Sequence, residues 1–349
     1  MENIQRIGVE NLMQLQIPKD FNGVISVKQK GNAIIEEAFG YADLPNKRPN
    51  RLDTIFVTAS AGKVFTATGI LSLIEQGKLD FESNIGSLLD FELKQIDPNI
   101  TVRQLITHTS GIPDYFDESK GGKYSDLFRE FPSYKIRKNR DFIPLFVDMP
   151  MMYSRGTKFH YNQTGYIALG LIIEAVMGLP FDEYLISEIF SPCGMNSTRY
   201  HEYDRLPANC ANVYIYDDAK DEYYTNIYSS GAKGTGDGGA YTTASDIELF
   251  WRNLFDGNIV SKDMLRQMTT SQVPANCFGY GLWLDRIANR YFPHFEGCED
   301  GISFMSTYDE TDDLLITLIS NKGDNVWALR RAILREFYDD VPDELNYGE

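Results

Sequence analysis

Two pairs of residues in this sequence have the spacing of a nucleophile and its base. Ser60 and Lys63 lie three residues apart in "FVTASAGKVFTATG", and Ser230 and Lys233 repeat that spacing in "SSGAKGTGDGG". Because residues three apart share one face of a helix, a helical setting would bring the lysine amine to the serine hydroxyl. If the lysine is buried and loses its proton, it can activate the hydroxyl for attack on a carbonyl. At least one pair is a coincidence, so the context must separate them.

The context favours the first pair. Its apolar pattern predicts a helix from Ser60 to Gln76 that stops at Gly77. At the start of a helix, Ser60 would have an unsatisfied backbone N–H and the positive end of the helix dipole close by. The second pair lies in a glycine-rich stretch, which disfavours a helix. The alternative for Ser60 is an ordinary helix-capping serine.

The elements that must position these residues follow an order of strands, helices and strands. Residues 21–43 have the pattern of two strands joined by a turn at Lys30–Asn32, and four further strand patterns fill most of residues 278–320 before a last helix. Strands at both ends predict one discontinuous α/β domain of residues 1–75 and 235–349. A mainly helical domain of residues 76–234 would be inserted into it, with the active site in the cleft between the two.

The inserted segment has its own signals for helix ends. "TVRQLITHTSG" predicts a helix capped by Thr101 and stopped by Gly111. A longer apolar segment from Thr164 onward predicts two helices separated by Gly178 and Pro180. Residues 209–239 are polar and predict an irregular region, and its glycine-rich end predicts a flexible surface turn near the site.

Composition excludes several classes of protein. The formal net charge of -17 disfavours nucleic acids and anionic membranes as partners. The sequence has no apolar run of the length that spans a membrane, and its first residues lack the apolar core of a signal peptide, so we expect a cytoplasmic protein unless a leader was removed. The four cysteines and four histidines show no metal-ligand spacing, so we expect neither a metal nor another cofactor.

Longer motifs raise a resemblance to a known family. These motifs are "LITHTSGIP" at 105–113, "FHYNQTGYIALGLIIE" at 159–174, "SPCGMNST" at 191–198, "DGGAYTTASDI" at 237–247 and "FGYGLW" at 278–283. With "FVTASAGK" before them, they cover nearly the whole chain in order. The sequence resembles the serine beta-lactamase-like, penicillin-recognising fold family, in the branch of class C beta-lactamases, D-alanyl-D-alanine carboxypeptidases, D-aminopeptidases and esterases.

This resemblance implies a fold and a chemistry. The fold would be α/β (α+β), an antiparallel sheet flanked by helices with an inserted all-helical domain. Ser60 would be the nucleophile, with Lys63 as its base. A Tyr-x-Asn triplet of the family corresponds to Tyr161-Asn162-Gln163, so Tyr161 would transfer protons. Gln163 replaces the substrate-binding asparagine, with the same amide on a longer side chain.

A third motif departs from the family pattern. The family has Lys-Thr-Gly or His-x-Gly on a strand that lines the site, and this chain has "FPHFEGCEDG". Anchoring on Gly297 puts Phe295 at the position of the cation and Glu296 after it, whereas anchoring on His294 keeps an imidazole but loses the glycine. Because side chains alternate along a strand, only one of His294 and Phe295 can face the site. We favour the alignment on Gly297.

The departure changes the expected substrate. All five residues from His294 to Cys298 are candidate substrate-binding residues, and the backbone N–H groups of Ser60 and Cys298 would form the oxyanion hole. Replacing the family cation by Phe295 and adding Glu296 to an acidic protein should weaken the binding of anionic substrates. We therefore expect a serine hydrolase of esterase or D-amino-acid peptidase type, with weak beta-lactamase and carboxypeptidase activity.

The expected partner is a small molecule or a short peptide. The alternative is a catalytically impaired binding or regulatory protein on the same fold. Convergence of the Ser60, Lys63 and Tyr161 side chains in the folded chain would separate the two.

Overall fold

The structure is a computed structural model that describes residues 17–345. Residues 1–16, which carry most of the segment read for a signal peptide, lie outside the described residues, as do residues 346–349 of the predicted sheet domain. Within residues 17–345 no single helix has the length and apolar composition to cross a membrane; Gln163–Met177 and Phe181–Phe190 reach that composition only together, across a bend of 78°.

A six-stranded sheet joins the two ends of the described chain. Its strand order is β2-β1-β12-β11-β10-β9, and every pair of neighbouring strands in it is antiparallel. Lys30 and Gly31, with φ angles of 52° and 74°, make the tight turn between β1 and β2, as predicted. The strands of this sheet are β1 (Gly23–Gln29), β2 (Asn32–Phe39), β9 (Trp283–Ile287), β10 (Arg290–Glu299), β11 (Ile302–Asp309) and β12 (Leu314–Ser320).

Short two-stranded sheets and ten α-helices complete the described structure. The short strands are β3 (Tyr41–Asp43), β4 (Arg48–Pro49), β5 (Phe56–Val57), β6 (Tyr214–Asp217), β7 (Glu222–Thr225) and β8 (Tyr241–Thr242). The helices are α1 (Lys63–Glu75), α2 (Ile85–Leu88), α3 (Val102–Ile106), α4 (Tyr124–Glu130), α5 (Ile143–Phe146), α6 (Gln163–Met177), α7 (Phe181–Leu185), α8 (Ala244–Asp256), α9 (Lys262–Met268) and α10 (Val326–Phe337).

Alternating residues of the large sheet enter two different cores. Phe295 and Phe304 pack in the larger core, which also contains residues of α1, α6 and α8. Phe292 and Met305 pack in a second core with Ile333 of α10. The sheet thus separates the carboxy-terminal helix from helices α1, α6 and α8. The predicted α/β fold is confirmed; the division into two domains stays a prediction.

Two sequence predictions for the middle of the chain are wrong in detail. Helix α3 begins after Thr101, whose capping box with Gln104 is present, but it ends at Ile106 and not at Gly111. The chain turns early because His108 adopts a left-handed φ of 55°. Residues 209–239 are not wholly irregular, since β6 and β7 form a hairpin there.

Candidate active site

Ser60 lies in a short turn that precedes helix α1. Ala59–Gly62 form a 3₁₀ turn, and the α-helix begins only at Lys63, so the predicted start at Ser60 is three residues early. Ala59 has a φ of 46°, a backbone conformation that is costly for a residue with a side chain. Ser60 does not cap α1, because Gly62 occupies that position. The alternative of a helix-capping serine is therefore wrong.

Lys63 is buried and lies at the centre of a cluster of hydrogen bonds. Its Nζ lies 2.9 Å from Ser60 Oγ, 2.6 Å from Gln163 Oε1 and 2.5 Å from the backbone oxygen of Asp237. Lys63 as a whole is only 4% exposed to solvent. Burial lowers the pKa of the Lys63 amine below its usual value, although the nearby carboxylates of Asp237 and Glu118 oppose the shift. Burial thus shifts Lys63 toward the neutral amine that a general base requires.

Tyr161 completes a group of three converging side chains. Its hydroxyl interacts with Ser60, which by itself would lower the pKa of the phenol, and both residues line one cleft. Its ring packs against His108 at 4.5 Å between centroids and stacks on Trp283 at 6.0 Å, and Lys63 Nζ lies 5.1 Å from its centre. Burial raises the pKa of the Tyr161 phenol well above its usual value, with a further contribution from Glu118. Tyr161 is thus held as a neutral phenol that can pass on a proton.

The start of helix α6 fixes the position of Tyr161 and Gln163. Asn162 caps this helix, because its side-chain oxygen accepts from Gly165 N at 2.7 Å. Its side chain is therefore directed to the start of the helix and not along the side chains of Tyr161 and Gln163. Asp114 accepts from the backbone N–H groups of Gln163 and Thr164, each at 3.0 Å in the shorter contact. Burial raises the pKa of the Asp114 carboxyl to about 7, against the lowering effect of these hydrogen bonds. Sequence reasoning missed Asp114, although it lies in "SGIPDY".

His108 is a buried positioning residue. Its Nδ1 accepts from the backbone N–H of Asn162 at 3.1 Å, and its ring lies between those of Tyr161 and Tyr166. Burial and the nearby Lys63 keep the pKa of His108 well below its usual value, so the ring is neutral. A neutral ring whose Nδ1 accepts must carry its proton on Nε2. His108 therefore holds the backbone beside Tyr161.

The glycine-rich loop is part of the site and not a flexible surface turn. A side chain at Gly238 would place its Cβ 2.3 Å from the backbone oxygen of Ala59, so the loop packs directly against the turn that carries Ser60. Gly239 N donates to the same oxygen at 2.9 Å. This packing directs the carbonyl of Asp237 to Lys63, a contact that the sequence analysis did not anticipate.

Strand β10 passes against the same turn from the other side. A Cβ at Gly297 would lie 2.2 Å from Thr58 O and 2.9 Å from Ser60 N, so only glycine fits there. The close approach brings the backbone of Cys298 next to Ser60. This arrangement supports an oxyanion hole from the N–H groups of Ser60 and Cys298.

Neither His294 nor Phe295 faces the cleft, and the prediction that one of them does is wrong. Phe295 is 3% exposed and packs in the core against Phe65 and Trp251. His294 is fully buried on the opposite face, where its Nδ1 lies 3.2 Å from Asp285. The strand lies between two filled cores, so alternation sends these two side chains into one or the other.

Glu296 does line the cleft, but it is already engaged. Its Oε2 accepts from Trp327 Nε1 at 2.6 Å, which ties strand β10 to helix α10. The open cleft has a volume of about 890 Å³, and its wall includes Ser60, Tyr161 and Trp283. Cys298 and Glu299 extend the same wall. Two cations of this wall, Lys322 and Arg331, donate to the backbone oxygens of residues 20 and 343.

Comparisons with known proteins identify the family. A profile described as Beta-lactamase matches residues 14–335. Penicillin-binding protein 4* of Bacillus subtilis (strain 168) is 29% identical over 336 residues, which cover 90% of this chain and 71% of that protein. The chain belongs to the Beta-lactamase family, a family of serine hydrolases, as its motifs predicted.

Solved structures share the fold. The penicillin-binding protein from Bacillus halodurans is 32% identical, with a TM-score of 0.87 over 94% of this chain and 99% of that one. The D-amino acid amidase from Ochrobactrum anthropi SV3 is 25% identical, with a TM-score of 0.68 over 93% of this chain and 94% of that one. A penicillin-binding protein and a D-amino acid amidase thus share this fold, so the substrate of this chain must be argued from its own cleft.

Proposed function

We propose that the protein is a serine hydrolase that acts through an acyl-enzyme on small ester or amide substrates, of esterase or D-amino-acid peptidase type. One observation carries the proposal: Lys63 Nζ lies 2.9 Å from Ser60 Oγ, and Tyr161, whose phenol interacts with Ser60, lines the same cleft as that serine. A protein that only binds ligands has no need for a buried amine beside a hydroxyl, since burial of lysine costs stability.

The hydrogen bonds around Lys63 support its role as the base. A neutral amine keeps two N–H groups and one lone pair. The oxygens of Gln163 and Asp237 accept the two N–H groups, which leaves the lone pair for the Ser60 hydroxyl. Ser60 Oγ then attacks the substrate carbonyl as its proton moves to Lys63 Nζ.

The remaining steps use Tyr161 and the backbone. The N–H groups of Ser60 and Cys298 would stabilise the oxyanion, each contributing about 10²–10³ in rate by analogy with other oxyanion holes. Tyr161 donates its proton to the leaving group and regains one from Lys63, because its raised pKa keeps it protonated. Water then attacks the acyl-enzyme by the reverse path, and Ser60 is released.

The residues of the cleft support weak activity toward anionic substrates. Phe295 takes the place where the family has a cation, and it lies in the core. The carboxylates of Glu296 and Glu299 line the wall instead. We expect slower turnover of a substrate with a carboxylate than of its neutral counterpart, and faster turnover of the anionic partner would contradict this assignment.

The proposal is tested by intact-mass measurement after brief exposure to a p-nitrophenyl ester and, separately, to a penicillin. We expect an acyl adduct or turnover with the ester that disappears in Ser60→Ala, and little adduct with the penicillin. If neither compound gives an adduct or turnover, the protein is a binding or regulatory protein and the proposal is wrong.

A further inference from the structure

Two cavities share Ser60 in their walls. The larger cleft contains Tyr161, whereas a small cavity of about 40 Å³ is lined by Ser60, Gln163 and Asp237 and not by Tyr161. The leaving group must lie near Tyr161, because that residue supplies its proton. Because the oxyanion points to the backbone N–H groups, the acyl substituent of the substrate extends toward the small cavity.

A buried amide group on the wall of this cavity lacks a partner. Gln163 is 2% exposed, and its Oε1 is taken by Lys63. Among residues 17–345 its Nε2 has no hydrogen-bond partner. An unpaired buried donor costs free energy, and a ligand that offers an acceptor would relieve it. The acyl substituent should therefore carry a carbonyl oxygen close to the reacting centre.

The same cavity has acidic side chains in its wall. Glu299 lines both cavities, and within residues 17–345 its carboxylate makes no hydrogen bond or ion pair. Asp237 lies on the same wall, and Glu118 lies on the wall of the larger cleft. Lys233, which also lines the small cavity, is paired with Asp182 at 2.7 Å.

The acidic residues around Glu299 make the ionised form of its carboxyl unfavourable in the free protein. Its partial burial and its neighbours Asp237 and Glu118 raise the pKa of its carboxyl to about 8, while Lys63 only partly compensates. A bound cation would favour the ionised form and relieve the repulsion between these carboxylates.

Building on the proposed hydrolase, we propose that the acyl half of the substrate is a short peptidyl group with a free amino terminus. Its amide carbonyl accepts from Gln163 Nε2, and its terminal ammonium binds Glu299, with Glu118 and Asp237 close by. Glu299 is thus a specificity-determining residue of this chain, distinct from Glu296, whose carboxylate is held by Trp327.

Two compounds isolate the ammonium. Glycyl-D-alaninamide and acetyl-D-alaninamide have the same amide backbone and differ in one feature, since acetyl is glycyl without its amine. Calorimetric titration of each into the Ser60→Ala protein measures binding without turnover. We expect the glycyl compound to bind about ten- to a hundredfold more tightly, as a charge-assisted hydrogen bond allows.

Two further variants assign the effect. In the Ser60→Ala background, Glu299→Gln should bring the ratio of the two dissociation constants close to one. Glu92→Gln, at an exposed position, should leave the ratio as it is. Equal or tighter binding of the acetyl compound would overturn the proposal, and so would a ratio that survives Glu299→Gln.

The hydrolase itself is tested separately by hydrolysis of a neutral p-nitrophenyl ester by the wild-type protein. Ester hydrolysis with no preference for the glycyl compound would overturn the ammonium site alone. A glycyl preference without ester hydrolysis would overturn the hydrolase and leave the cation-binding site standing.

Discussion

The two Ser-x-x-Lys segments have identical spacing and different surroundings. At Ser60 a 3₁₀ turn runs into helix α1, and Lys63 Nζ reaches the serine oxygen at 2.9 Å. At Ser230 the chain is an irregular bend, and Lys233 Nζ instead contacts the carboxylate of Asp182 at 2.7 Å. The spacing is therefore insufficient, and the backbone and competing acceptors decide which lysine serves a serine.

The difference between the two lysines is mainly electrostatic. Lys63 is surrounded by neutral acceptors at hydrogen-bond distance, and burial lowers the pKa of its amine. Lys233 is about one-fifth exposed and forms an ion pair with the carboxylate of Asp182 at 2.7 Å. A general base requires a buried site with neutral acceptors, as at Lys63. A surface ion pair such as that of Lys233 requires only a nearby carboxylate.

Removal of the two serine hydroxyls should separate the segments most strongly. Ser60→Ala removes the proposed nucleophile, so we expect ester hydrolysis to fall by about 10⁴–10⁶, as in other enzymes with a serine nucleophile. Ser230→Ala should change it only slightly, although this residue lies on the wall of the small cavity. Steady-state kcat/KM for a neutral p-nitrophenyl ester makes the comparison, and equal losses would contradict the distinction.

Removal of the two lysine amines should give the next largest difference. Lys63→Ala takes away the proposed general base, for which we expect a loss of about 10²–10⁴ in kcat. Lys233→Ala breaks a partly exposed ion pair, so we expect at most about 1 kcal/mol of lost stability and near-normal kcat. Urea unfolding and ester kinetics on both variants measure the two effects. A stable Lys63→Ala protein with normal kcat would show that Lys63 is not the general base.

A glycine near each segment gives a smaller contrast. Gly297→Ala would force a Cβ to 2.2 Å from Thr58 O and displace strand β10 from Ser60, so we expect a loss of about 10²–10³ in kcat through the oxyanion hole. Gly231→Ala meets first a methyl of Ile136 at 2.8 Å, which can shift. Circular dichroism shows whether each variant folds, and equal kcat values in folded variants would argue against the proposed oxyanion hole.

The pH dependence should report the lowered pKa of Lys63. A protonated amine cannot accept the serine proton, so kcat/KM for a neutral ester should rise with pH until it passes the pKa of Lys63, which lies below 10.5. Below that pKa the rate should fall by about tenfold for each pH unit. A pH-rate profile of the wild-type protein checks this, and a rate that decreases as pH rises through this range would contradict the assigned base.

Sequence patterns predicted the elements better than their contacts. The turn at Lys30 and Gly31 and the C-terminal strands follow from local residue types and alternation. The glycine-rich loop was mistaken for a flexible surface turn, because glycine reports freedom of the backbone and also permits close approach to another segment. Only the folded chain shows that Gly238 packs against Ala59.

The third motif shows a similar limit. Alternation correctly implies opposite faces for His294 and Phe295, but it does not reveal that both faces of strand β10 are covered. The partner of each buried side chain comes from a distant segment, Asp285 for the histidine and Trp251 for the phenylalanine. Glu299, which the proposed ammonium site depends on, has no local pattern that distinguishes it from any surface acid.

The position of the acyl group after a brief reaction distinguishes the two Ser-x-x-Lys segments without any substitution. The wild-type protein is mixed with a p-nitrophenyl ester, quenched in acid within the first turnovers, digested and analysed by tandem mass spectrometry. We expect an acyl group on Ser60 and an unmodified Ser230. Turnover with the acyl group on Ser230, or with Ser60 unmodified throughout, would contradict it.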